Sequence, residues 1–221
     1  MQTFAFDIYG TLIDPMALGQ VLEQMIGDQA KSFNNLWRDK QLEYSFRKAA
    51  MKQFNHFSEC TQQALDYCNE FFGSGLSDDQ LSKLLGMYRK LPAYPETADC
   101  LQKLKDKEHE IIAFSNGKRD DLVSLFKNAE LSQYFDQIIS VDEVQTFKPS
   151  PEVYNLLLEK SSSSKGKTWL VSANSFDIIG AAAIGLNTIW LRRDPAAVFD
   201  PFGIAFSLSI DNLQDIVEHR F

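Results

Sequence analysis

After Pro95 the chain alternates between short apolar runs and stretches of helical spacing, and few folds accept that pattern. Ile111-Ile112-Ala113-Phe114, Gln137-Ile138-Ile139-Ser140-Val141, Thr168-Trp169-Leu170-Val171 and Thr188-Ile189-Trp190-Leu191 read as strands, the last of these being the final clear one. Between them, Glu96 to Lys107, Asp120 to Asn128, Pro151 to Lys160 and Ile178 to Ile184 read as helices, and Ser161 to Gly166 as a polar loop. Such alternation predicts a parallel sheet with crossover helices, whose strands are short and apolar because both faces are covered. One further run, Phe4-Ala5-Phe6, supplies a strand at the start of the chain.

Between that first strand and Pro95 the pattern is different. From Ala17 to about Arg89 the apolar residues fall at helical intervals and no strand pattern appears: Leu36, Trp37, Leu42 and Phe46, then Ala64, Leu65, Cys68, Phe71 and Phe72. Gly73-Ser74-Gly75 breaks the helices, and Ser77-Asp78-Asp79 is a start signal. Pro15 lies near one end of this segment, and Leu91-Pro92-Ala93-Tyr94-Pro95-Glu96 stiffens the other. The expected architecture is α/β: a doubly wound, mainly parallel, Rossmann-like core of residues 1–14 and 94–221, split by a helical cap domain of residues 15–93. A segment held by two connectors suggests a cap able to move over a site, with hinges near Pro15 and Pro92.

The polar residues sit where such a sheet binds ligands. Asp7 follows the first strand at once, then Gly10 allows a sharp turn and Thr11 adds a hydroxyl. Ser115 and Asn116 end the second strand; Ser172 and Asn174 end the fourth, with Asp177 just beyond. Parallel strands bring their carboxyl ends to one edge, where ligands of open α/β sheets bind. Lys148-Pro149, after the third strand, falls beside Asp7, and a cation there would favour the carboxylate form of Asp7. The plainer alternatives are an Asp that caps the next turn and a solvated loop lysine.

A net charge of −8 argues against a general nucleic-acid surface, and no apolar run reaches membrane-spanning length. Local positive charge remains available for a small anionic substrate. Cys60, Cys68 and Cys100 have no metal-site spacing and read as reduced thiols of a cytoplasmic protein; the N-terminus runs straight into a strand, without a basic leader. His56, His109 and His219 join no Ser/His/Asp, Cys/His or zinc pattern. Both a monomer and a homodimer are open.

The stretch Phe4-Ala5-Phe6-Asp7-Ile8-Tyr9-Gly10-Thr11-Leu12 resembles the first motif of the haloacid dehalogenase-like hydrolases, whose Asp is the nucleophile. Ser115-Asn116-Gly117, Lys148-Pro149 and the acidic loop through Asp177 match the later motifs, in order, over nearly the whole chain. Phosphatases of that superfamily carry a second Asp two residues after the first. This chain has Tyr9 there, which resembles the 2-haloacid dehalogenase branch. Leu36-Trp37-Arg38-Asp39-Lys40-Gln41-Leu42-Glu43-Tyr44 is similar to the cap helix of the L-2-haloacid dehalogenases, and Arg38 stands where their arginine meets the substrate. Many members carry Gln where this chain has Asp39, and Trp where it has Phe176.

The resemblance implies hydrolysis of (S)-2-haloalkanoic acids to (R)-2-hydroxyacids without a cofactor. Asp7 would attack, Lys148 and Asp177 would arrange it and activate water, and Thr11, Ser172 and Asn174 would orient the carboxylates. Arg38 and Asn116 would hold the departing halide; Ser115 and backbone N–H groups near Tyr9 would bind the substrate carboxylate. Tyr9, Leu42, Phe57 and Phe176 would form the apolar wall, and Tyr154 a supporting contact. Two other readings stay open: a magnesium-dependent phosphatase using Asp7 and Asp177 as oxygen ligands, and a binding protein that kept the fold. For Arg38 the plainer alternative is a solvated face on which Arg38, Lys40 and Glu43 pair at ion-pair spacing.

Overall fold

The computed structural model describes residues 1–221. In chain order it holds β1 (Thr3–Phe6), helices α1 (Gly19–Ile26), α2 (Ala30–Met51), α3 (Phe57–Phe71), α4 (Asp78–Tyr88) and α5 (Thr97–Asp106), then β2 (Glu110–Ser115), α6 (Arg119–Asn128), β3 (Gln137–Ser140), α7 (Pro151–Lys160), β4 (Thr168–Ser172), α8 (Ser175–Ala183), β5 (Asn187–Leu191), β6 (Leu208–Ile210) and α9 (Gln214–Glu218). The six strands form one parallel sheet in the order β3-β2-β1-β4-β5-β6. All of β1 and β2 is buried, which explains their unbroken apolar reading.

This order reverses direction at β1. The chain runs from β1 to β2 on one side, and later returns to β4 on the other. Crossovers on the two sides leave a crevice at the carboxyl ends of β1 and β4, and Asp7 and Ser172 stand at its two lips. Directly after β1 the backbone folds into a compact turn: Leu12 and Ile13 both donate N–H bonds to the Ile8 carbonyl, with Gly10 at φ 87°. That left-handed φ is why Gly occupies the position.

Helices α1–α4 lie between β1 and α5, as the spacing predicts, but the spacing does not mark the break between α2 and α3. Lys52, at φ 55°, closes α2 in the left-handed conformation. The start of α4 matches its signal: Ser77 and Gln80 form a capping box. The two connectors are not separate tethers. Ile13 bridges Ala93 in antiparallel fashion, Asp14 N–H donates to the Pro92 carbonyl at 3.0 Å, and Tyr94 N–H to the Leu12 carbonyl at 3.0 Å.

Two further expectations are corrected. The strand at 188–191 is followed by β6 and α9. The three residues of β6 are half-buried, exposed and buried in turn, too short an edge for periodicity to register. Helix α8 begins at Ser175 rather than Ile178, so Asp177 lies in its first turn rather than in a loop. No helix is long and apolar enough to cross a membrane. The three cysteines are free and buried.

Candidate active site

At the β1–β4 crevice, Asp7 is 7 % exposed, while Lys148 and Asp177 are essentially inaccessible. Lys148 Nζ lies 3.1 Å from Asp7 Oδ1 and 2.8 Å from Asp177 Oδ2, and donates also to the Phe114 carbonyl at 2.9 Å. One ammonium thus joins two carboxylates, with its three donors used. Burial works against the charged Lys148, but the two carboxylates outweigh it and its pKa is raised. Burial pushes Asp177 up to about 6, against the opposing pull of Lys148.

The two oxygens of Asp7 differ. Oδ2 accepts from Thr11 Oγ1 at 2.9 Å and Asn174 Nδ2 at 2.8 Å. Oδ1 has Lys148 as its hydrogen-bond donor. Thr11 Oγ1 in turn accepts from Ala173 N–H at 2.9 Å, and Asn174 Nδ2 also reaches the Tyr9 carbonyl at 3.1 Å. Ser172 Oγ accepts from Asn174 N–H, and Tyr154 donates to Asp177 Oδ1 at 2.9 Å. At the end of β2, Asn116 Oδ1 accepts from Lys148 N–H at 3.0 Å, and Ser115 Oγ from Gly117 N–H at 3.0 Å. Residues from the ends of β2 and β4 and from the segments that follow β1, β2, β3 and β4 therefore meet at one point, because parallel strands end on one edge.

The helical insertion reaches the same place. Arg38 Nη2 lies 3.3 Å from the Tyr9 carbonyl, the acceptor that Asn174 shares while holding Asp7. No carboxylate is within salt-bridge distance of Arg38. Glu43 is taken instead by Lys40, at 2.7 Å, and by Arg47. The Tyr9 ring stacks on Tyr88 of α4 at 5.6 Å and tilts toward Phe57 at 6.2 Å. A cleft of about 100 Å³ at this seam is lined by Tyr9, Phe57, Thr61, Tyr88, Arg89 and Gly117, among others. Leu42 is half-buried against the apolar core. Phe176 packs on Phe46 at 5.0 Å and lines a separate apolar crevice of about 290 Å³ with Pro149 and Phe202; it makes no ring contact with Tyr9 or Phe57.

A sequence model of the haloacid dehalogenase-like hydrolases matches residues 1–185. The chain belongs to the haloacid dehalogenase-like hydrolase family. It is 33 % identical, over 98 % of its length and 95 % of the relative's, to an (S)-2-haloacid dehalogenase of Pseudomonas fluorescens. With (S)-2-haloacid dehalogenase 1 of Pseudomonas sp. strain CBS-3 the identity is 36 %, over 85 % and 83 % of the two chains. Its fold matches that of the L-2-haloacid dehalogenase from Xanthobacter autotrophicus, solved with chloropropionic acid covalently bound, at a TM-score of 0.90 and 28 % identity, covering 99 % of this chain and 97 % of that one.

Within this haloacid dehalogenase-like hydrolase, Tyr9 stands two residues after Asp7, at the position of the second Asp of the phosphatases. It is buried in an aromatic stack, and burial raises its pKa. Sequence reasoning missed several residues around the site: Gln41, Thr61 and Tyr88 behind Arg38, Gly180 beneath Tyr154, and Arg193 behind Thr11. Gln41 did carry a signal. Trp37, Gln41 and Ser45 recur every four residues on the buried face of α2, so a long amide occupies an apolar-phase position.

Proposed function

We propose that this hydrolase converts (S)-2-haloalkanoic acids to (R)-2-hydroxyacids through an ester on Asp7, with residues 15–93 acting as a cap over the site. The observation that carries the reading is the pair of unlike oxygens on Asp7, together with full-length likeness to (S)-2-haloacid dehalogenases. Oδ2 is pinned by two donors, and Oδ1 keeps a lone pair for attack. Oδ1 bonds to C2 from the face opposite the halogen, the carbon–halogen bond breaks, and halide leaves with the electron pair. Water then attacks the ester carbonyl carbon of Asp7. The Cγ–Oδ1 bond breaks, Oδ1 leaves on C2 and takes a proton to become the product hydroxyl, and the water oxygen restores the Asp7 carboxylate, so the inverted C2 centre is untouched.

In this reading Asp177 takes the proton of the attacking water, assisted by Lys148. Thr11, Ser172 and Asn174 keep the Asp7 carboxylate oriented, while Ser115 and backbone N–H groups near Tyr9 hold the substrate carboxylate. Arg38 and Asn116 stabilise the departing halide, whose charge grows in the transition state. Tyr9, Leu42 and Phe57 form the apolar wall, and Tyr154 supports Asp177; Phe176, expected in that wall, packs instead on Phe46 in a separate crevice. Metal-free turnover is part of this reading, and it is supported by the Lys148 ammonium, which supplies positive charge to both Asp7 and Asp177. The buried free thiols fit a cytoplasmic location.

The test is chloride release from (S)-2-chloropropionate with and without EDTA, beside phosphate release from a generic phosphomonoester with magnesium. Chloride release unaffected by EDTA is expected. Phosphate release that needs magnesium, without chloride release, overturns the proposal in favour of a phosphatase; release of neither leaves a binding protein.

A further inference from the structure

The three donors of Lys148 and both oxygens of Asp7 are accounted for by the core. For Arg38 the core supplies only the Tyr9 carbonyl, at 3.3 Å. An arginine side chain has several rotatable bonds and loses rotamer freedom when ordered, so a guanidinium poised at a site needs a partner. The partner here comes from α2 itself, one turn on. Gln41 is 1 % exposed, and its Oε1 accepts from Arg38 Nη1 at 2.6 Å and from Tyr88 Oη at 3.0 Å. Its Nε2 donates to Thr61 Oγ1 at 2.5 Å, and Thr61 Oγ1 donates onward to the Phe57 carbonyl at 3.0 Å.

The direction of this chain of bonds is forced. A guanidinium has donors only, so the amide oxygen must face Arg38. The amide nitrogen then faces Thr61, whose hydroxyl must accept and so sends its own hydrogen to Phe57. Helices α2, α3 and α4 each contribute one member: Gln41, Thr61 and Tyr88. A position with only a packing role would be cheaper to fill with an aliphatic side chain, since burying an amide is unfavourable unless its groups are paired. A glutamate would also orient Arg38, but it would cancel the charge. A neutral acceptor orients the guanidinium and leaves its charge for an anion.

We propose that Gln41 is a positioning residue that, braced by Thr61 and Tyr88, holds Arg38 toward the Asp7 site with its positive charge uncompensated. The role rests on the dehalogenase reading, since it is through the haloacid that Arg38 acts. Gln41→Met keeps the length of the side chain and removes its polar groups. The double-mutant cycle with Arg38→Ala separates positioning from plain packing.

Chloride release from (S)-2-chloropropionate is measured as kcat and KM, with stoichiometric enzyme where turnover is slow, and melting temperature alongside. With Arg38 present, Gln41→Met is expected to lower kcat by about tenfold to a hundredfold, the scale of a small misplacement of a reacting group. With Arg38→Ala already made, the same change should alter kcat by less than about twofold, because there is no guanidinium left to misplace. An equal loss in both backgrounds overturns the positioning role, and so does unchanged kinetics in Gln41→Met. Should Gln41→Met fail to fold, Tyr88→Phe carries the same cycle, since it deletes one hydroxyl and keeps the ring. A severalfold loss that vanishes without Arg38 supports the proposal; a loss independent of Arg38 overturns it. Absence of chloride release from the wild-type protein would instead remove the dehalogenase reading, and this role with it.

Discussion

The proposed mechanism asks two things of the Asp7 carboxylate: Oδ2 must stay put and Oδ1 must be free to attack. Asp7→Asn keeps the volume and much of the hydrogen bonding but removes the nucleophile. Turnover should fall by several powers of ten, with the melting temperature little changed, as measured by chloride release and thermal denaturation. Retention of more than a few per cent of the wild-type rate would assign the chemistry to another group. With Asp177 as the proposed base, its ionisation should set the pH dependence. Its buried carboxyl, pushed up to about 6, is neutral below that pH and cannot take a proton from water. The rate should therefore fall as pH drops through about 6, while Lys148, with its raised pKa, stays charged. The Tyr154 hydroxyl favours the ionised form of Asp177 by donating to it. Tyr154→Phe should thus move the acid limb of the pH–rate profile to higher pH. A limb that does not move would mean that Asp177 does not define it.

At the scale of elements, the start of α8 and its crossing with α7 decide whether Asp177 has partners. Asp177 lies in the first turn of α8, where the helix dipole favours a carboxylate, and Gly180 lies three residues on. A Cβ at Gly180 would come within 2.5 Å of Tyr154 Oη and 2.7 Å of Pro149 Cβ. The two helices are close enough for Tyr154 to reach Asp177 only because that atom is missing. In an ordinary helix interior Gly→Ala stabilises by about 1 kcal/mol. Here the sign should reverse, with a loss on the scale of overpacking, about 1–3 kcal/mol, and a lower kcat as Tyr154 and the Lys148-Pro149 segment shift. Calorimetry and steady-state kinetics on Gly180→Ala check both. A variant more stable than wild type and fully active would contradict the close packing.

For the whole molecule, the question is how the helical insertion and the sheet hold together. The paired connectors are clamped from the core by Arg193, which follows β5. Its guanidinium stacks on Tyr94 at 3.5 Å, donates to the Thr11 carbonyl and pairs with Glu96 at 2.8 Å. Thr11 also holds Asp7, so the clamp links the connectors to the nucleophile. If residues 15–93 move as the proposed cap, they must bend a paired ribbon rather than swing on free linkers at Pro15 and Pro92. Arg193→Met should remove these charged hydrogen bonds at a cost of about 1–3 kcal/mol. The amides of Asp14 and Tyr94, whose bonds join the connectors, should then exchange faster while those of β1 and β4 stay protected. Uniform exchange rates across the variant would show that Arg193 does not stabilise the connectors.

The sequence by itself determined the parallel α/β core, the helical insertion, and the gathering of Asp7, Thr11, Asn116, Lys148, Asn174 and Asp177 at one edge. These follow from local facts: buried parallel strands read as short apolar runs, and the residue after each strand must emerge at the same edge. Only the tertiary structure decided which neighbours those residues meet. Phe176 faces Phe46, Tyr9 stacks on Tyr88, Arg38 leaves Glu43 to Lys40 and Arg47, and Gly180 and Arg193 acquire their roles from elements far away in the chain. Periodicity reports which face of an element a residue occupies. What lies across from that face depends on how separate elements pack, and no stretch of neighbouring residues carries that information.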